Sequence, residues 1–182
     1  NPTAEVGDIR ISKSETKAPT ATERIILKGN LDSRLEISGE HKADTIIKDS
    51  LGNSYIITFK FEKIANDQDG NTWRMTIDRI TEMSTGNYAE LPTGIIDGDE
   101  LELTFNSDGK LVTIEQNPIE ELDKVLLEGL SGIEFNYNKA GEELQDTYGP
   151  SGTFKDILLF DSQDEETYKN LHQYANDMDA QP

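Results

Sequence analysis

Between Tyr55 and Lys63 the side chains alternate in character. Tyr55, Ile57, Phe59 and Phe61 fall on one side, and Thr58, Lys60 and Glu62 on the other, with Ile56 the exception. A period of two belongs to an extended strand with one wet face and one dry face, and it excludes a helix over the same residues. Asp49-Ser50-Leu51-Gly52-Asn53-Ser54 precedes it. Gly52 and Asn53 tolerate positive φ, so this segment is a tight turn and the strand returns along the one before it. That earlier strand is Ala43–Lys48, carrying Ile46 and Ile47, and Arg24–Leu31 carries Ile25, Ile26 and Leu27.

The same pattern recurs downstream. Thr72–Ile80 places Trp73, Met75 and Ile77 inward after an Asp69-Gly70 turn. Leu101, Leu103 and Phe105 make another inward row, which Asp108-Gly109 turns into Lys110–Glu115. Consecutive hairpins over residues 23–115 predict a mainly β chain, an antiparallel β-sandwich or small β-barrel with one or two short helices. The first helix is expected at Asn117-Pro118, where a cap precedes a proline. Ile119, Leu122, Val125 and Leu126 then follow at helical spacing until Gly129. Ile133–Tyr137 and Phe154–Phe160 read as strands, with a loop at Tyr148-Gly149-Pro150-Ser151-Gly152. The second helix is expected in the tail. Ser162 and Glu165 have capping-box spacing, Tyr168, Leu171 and Tyr174 share a face, and Glu165 can pair with Lys169. The expected organisation is therefore an extended connector over 1–22, with a short strand at Ile9–Ile11. A β-rich domain follows over 23–160, made of hairpins to 115 and an elaboration over 116–160. A helical or mobile tail covers 161–182.

Composition narrows function more by exclusion than by assignment. Of 182 residues 36 are Asp or Glu and 17 are Lys or Arg, a formal net charge of -19. Such a field repels phosphate, which argues against nucleic acid and anionic membrane surfaces as partners. There is no cysteine, so disulfides, thiolate metal sites and cysteine nucleophiles are all excluded. No apolar run approaches the roughly 20 residues that cross a bilayer. The chain opens at Asn1-Pro2, as a fragment or processed product would.

Candidate chemistry is sparse. His41 and His172 sit in polar contexts without a partner at metal-ligand spacing, and they read as surface histidines. Asp67-Gln68-Asp69-Gly70-Asn71 gathers oxygen ligands like half of a calcium loop, but its glycine is misplaced for an EF-hand. A hairpin turn explains it equally well. Adjacent carboxylates such as Glu120-Glu121, Glu142-Glu143 and Glu165-Glu166 are expected at this net charge, and a glycosidase would need two of them across one cleft. No GxGxxG, P-loop, HExxH or GxSxG is present, and Trp73 reads as core. The expectation is no catalytic residue, no cofactor-binding residue, no metal site and no cofactor.

Several of these segments resemble the central region of bacterial flagellar hook proteins. They are Ala21-Thr22 with Gly29-Asn30-Leu31-Asp32-Ser33, the Asp49-Ser50-Leu51-Gly52-Asn53 hairpin with Thr58-Phe59-Lys60-Phe61-Glu62-Lys63, Asn71-Thr72-Trp73, and Leu103-Thr104-Phe105 with Gly109-Lys110-Leu111. Order and spacing agree over about residues 21–115, and Pro118–Pro182 reads as a lineage-specific elaboration. Tyr55 stands where that family often has histidine. The resemblance implies a non-enzymatic structural subunit, the outer domain of a hook that passes torque as a universal joint. Its partners would be other copies in a helical polymer and neighbouring axial flagellar proteins. It would sit outside the cell, in the hook of the basal body, exported without a cleaved signal peptide. The isolated fragment is expected to be monomeric. A related rod protein, or a carbohydrate- or protein-binding β module of a surface adhesin, is the alternative.

Overall fold

A computed structural model describes residues 18–67, 70–91, 100–137 and 146–174. The expected strand at Ile9–Ile11 lies outside them. The largest element is a six-stranded antiparallel sheet built from local hairpins. In spatial order its strands are β2 (Glu40–Lys48), β3 (Ser54–Asp67), β4 (Gly70–Glu82), β6 (Leu101–Phe105), β7 (Leu111–Ile114) and β8 (Asn117–Pro118). The inward row of β3 is as the alternation predicts, with Tyr55, Ile57, Phe59 and Phe61 all buried. Trp73, Met75, Leu101, Leu103 and Phe105 join the same core.

The row of β4 changes phase. Thr58 pairs with Arg79 and Phe59 with Ile77, so Asp78 is an extra residue opposite the junction. A bulge of this kind shifts every later side chain by one position. Ile77, opposite Phe59, keeps the inward phase and packs on the core while partly buried, and beyond the bulge Ile80 takes up the inward position opposite Ile57.

The second layer is irregular. It holds a parallel pair of β1 (Gly29–Asp32) with β13 (Leu171–Tyr174), and an antiparallel pair of β9 (Val125–Leu127) with β12 (Ile157–Phe160). A small sheet orders β11 (Thr147–Tyr148), β10 (Glu134–Asn136) and β5 (Ala89–Glu90). Leu31, Leu127, Phe135, Ile157 and Phe160 from this layer share one buried cluster with the main sheet. Tyr55 shows the contact between layers: its ring lies 5.5 Å from Phe135 and 5.0 Å from Phe154. Among the described residues the sheet does not close into a barrel.

Two helical expectations fail, each for a visible reason. After β7, Glu115 and Gln116 both take positive φ (52° and 66°), the backbone of a two-residue hairpin turn. Glu115 is held there because its N–H donates to Glu102 O at 2.8 Å and its carboxylate accepts from Glu102 N at 2.6 Å. The turn lays Asn117-Pro118 back on β7 as an edge strand, where proline's missing N–H costs nothing. Only a single 3-10 turn, Ile119–Glu121, remains before Leu122 extends. Over 161–174 of the tail, a 3-10 turn at Glu165–Thr167 stands in place of the helix and Leu171–Tyr174 is a strand, while 175–182 lie outside the described residues. The Glu165–Lys169 ion pair does form, at 4.0 Å. Arg24–Leu31 is shorter as a strand than its apolar run suggests. Arg24 bridges Leu158, and regular pairing starts only at Gly29.

Candidate functional site: an anchor at the terminal strands

Among the described residues one group of buried polar side chains, Lys63, Asn71 and Gln173, gathers around β1 and β13. Gln173 is the centre. Its side-chain oxygen accepts from Trp73 Nε1 at 2.7 Å and from Asn71 Nδ2 at 2.8 Å, and all three side chains are buried. Two donors on β4 thus grip the last described strand. From β1, Asn30 reaches across to Tyr174, donating from Nδ2 to its carbonyl at 3.1 Å and accepting from its N–H at 2.6 Å. Gly109 fits beneath them. A Cβ there would come within 2.5 Å of the Tyr174 ring and 2.6 Å of Gln173 O, and φ is +83°, so only glycine suits the position.

Lys63 continues the inward row of β3. It is fully buried, and its ammonium donates to Ser33 O at 2.7 Å and Leu35 O at 2.8 Å, just beyond β1. Burial pushes its pKa down, opposed by the nearby Asp32 carboxylate. The ammonium stays satisfied because two carbonyls replace its water.

The opposite end of the sheet carries a second buried group, Asp49, in the turn between β2 and β3. Its carboxylate accepts from Tyr55 Oη at 2.6 Å, Leu51 N at 2.9 Å, Asn53 N and Nδ2 at 3.0 Å each, and Gly152 N at 3.2 Å. Burial pushes this carboxyl up. The hydrogen bonds from Tyr55, Asn53 and the Leu51 backbone outweigh burial and hold it below its ordinary value. Burial, and then the Asp49 bond, raise the Tyr55 phenol. Gly52 takes φ +86°, as the turn requires.

The sheet face turned away from the core is open and wet. Thr58 donates to Asp44 at 2.7 Å, Lys42 lies 3.2 Å from Asp78, and Arg74 lies 3.0 Å from Glu62 and 2.7 Å from Glu100. Charge is unevenly shared between these parts of the described structure. Residues 40–67 and 70–82 hold six Lys or Arg against seven Asp or Glu, whereas residues 119–137 and 146–174 hold three against 11.

Among the described residues the remaining candidate ligands do not assemble. His41 is exposed on β2, its ring 6.5 Å from Phe61, and His172 stacks on Tyr174 at 5.2 Å. Gln68, Asp69 and the Asp67 side chain lie outside the described residues. Asn71, from the same run, is committed to Gln173. Gly70 is bound to its turn by φ +143° and by Phe105 O, which a Cβ would meet at 1.8 Å. Glu120 and Glu121 are exposed, Glu166 faces Arg24 at 3.5 Å, and Glu142-Glu143 lies outside the described residues. Among the described residues no three His, Asp or Glu side chains gather as metal ligands would.

A comparison with protein families matches residues 16–179 to the flagellar basal body protein FlaE D2 domain. The chain belongs to that family. It is a structural component of the bacterial flagellar hook, which lies outside the cell, and it assembles with other subunits into a polymer. A search of curated proteins gives no match. The D2 match runs well past residue 115, so it takes in the segment that the sequence reading set apart as an elaboration. The structure gives a reason. Gln173 and Tyr174 complete the anchor that Asn30, Lys63, Asn71, Trp73 and Gly109 begin, and those earlier residues sit in the segments that carried the resemblance. Gln173 gave no signal of its own. Lys63 did, because it continues the i, i+2 row of Tyr55, Ile57, Phe59 and Phe61.

Proposed function

We propose that this D2 domain is the outward part of a hook subunit and that it makes the lateral contacts along which neighbouring subunits slide as the hook bends. The open face of the six-stranded sheet carries this reading. Lys42, Lys60 and Arg74 there are paired within the chain and partly exposed to water, so they exchange partners at little cost. A broad apolar face would lock two subunits together. The near-neutral strands β2–β4 and the acidic second layer make two unlike surfaces. Unlike surfaces favour head-to-tail contact, the kind that repeats along an open helical polymer. The role is mechanical, with no catalytic centre or cofactor, and neighbouring axial proteins complete its surroundings. Export without a cleaved signal peptide fits the same reading, since the absence of cysteine leaves no crosslink to obstruct an unfolded chain.

The test is deletion of residues 18–174 from the parent hook protein. Hooks should still polymerise but show altered curvature by electron microscopy, and swimming should be impaired. Normal curvature with normal motility would remove the proposed role.

A further inference from the structure

We propose that the β1–β13 pair is the load-bearing clamp of the domain, placed so that tension between the two flanking segments shears it rather than peels it. The inference deepens the hook reading and rests on it for its purpose alone. On the amino-terminal side, Pro19 lies against Gly52, and Thr22 exchanges hydrogen bonds with Lys48 at 3.0 and 2.8 Å. That is the Asp49 end of the sheet. On the carboxyl-terminal side, Gln173 N donates to Gly109 O at 2.9 Å and Ser33 N to Tyr174 O at 2.9 Å. That is the Lys63 end. The stretch of β3 between them, Ser54 to Lys63, is about 30 Å long at the usual rise per residue. The chain therefore approaches β1 from one end of the sheet and leaves β13 at the other.

The two strands are parallel, with Gly29 opposite Leu171 and Asp32 opposite Tyr174. Tension draws β1 toward its amino end and β13 toward its carboxyl end, in opposite directions along one axis. Every rung then carries load at once, together with the flanking bond from Gly29 N to Asn170 O at 3.0 Å and the two Asn30 side-chain bonds to Tyr174. Neither strand can slip alone. Gln173 is keyed to Asn71 and Trp73, and the segment after β1 is keyed to Lys63.

Single-molecule pulling on the full 182-residue chain tests this. Handles at the two chain ends load the pair in shear. The chain has no cysteine, so Lys28→Cys with Asn170→Cys, both exposed, gives unique handles at one end of the pair and peels it. Peak unfolding force at equal loading rate should be at least about twofold higher for end-to-end pulling, because forced rupture reports the unfolding barrier. Gln173→Ala should lower the end-to-end force and leave the peeling force nearly unchanged. Equal forces in the two geometries, or an end-to-end force insensitive to Gln173→Ala in a folded variant, would overturn the clamp. These readouts need no hook, so the clamp and the hook reading stand or fall separately.

Discussion

Asp49 shows how one buried carboxylate fixes a turn. It accepts five hydrogen bonds and draws together the β2–β3 turn, the Tyr55 hydroxyl and the backbone at Gly152. Its folded pKa is depressed. The stabilisation is therefore complete above the unfolded value of about 3.9 and is lost as pH falls through the lower folded value. Asp49→Asn keeps the shape but turns one acceptor into a donor facing donors. At pH 7 it should cost about 2 kcal/mol, read as a lower urea midpoint. The gap from wild type should narrow as pH drops below about 4. A gap that stayed constant into acid would mean that the charge contributes nothing. The Asp49–Asn53 spacing was visible in the sequence as a turn, but its reach to Gly152 was not, because about a hundred residues intervene.

At the scale of elements, the alternating strands were legible and the ends of the domain were not. The inward rows of β3 and β6 follow from period two alone. Lys63 shares that phase, so even the buried ammonium was written in the pattern. Residues 117–129 and 162–174 read as helices because apolar side chains three and four apart also occur in short strands broken by turns. What decides their structure lies elsewhere in the chain. Glu102 holds the turn that makes β8, and β1 with Asn71 and Trp73 recruits β13. Gln173→Ala should leave two buried donors without an acceptor, at about 1–3 kcal/mol each. Denaturant unfolding should show that loss, and tryptophan fluorescence should report a changed Trp73 environment. Trp73→Ala removes the indole as well and should cost about 3–5 kcal/mol. Stability unchanged by either substitution would show that β13 is not held as described.

At the scale of the molecule, net charge and hydrogen-bonded surface work against casual association. The 182-residue chain should be monomeric in dilute neutral solution, since a net charge of -19 repels like copies at low salt. Light scattering measures this directly, and a tight dimer would contradict weak lateral contact as the mode of assembly. In the polymer a high effective concentration compensates for weakness. The sheet also guards its own borders. One edge is β8, two residues long with Pro118 in it, and the other is β2, studded with Glu40, Lys42, Asp44 and Lys48, so neither invites a stray strand. The β1–β13 pair has a further consequence, in time rather than in space. Asn30 and Tyr174 stand 144 residues apart in the chain, whereas β2, β3 and β4 join through adjacent hairpins. Local hairpins close early and distant contacts late. A chain emerging amino end first therefore remains a string of unfastened hairpins until β13 arrives, and the step that fastens β13 to β1 is also the step that makes the domain able to bear load.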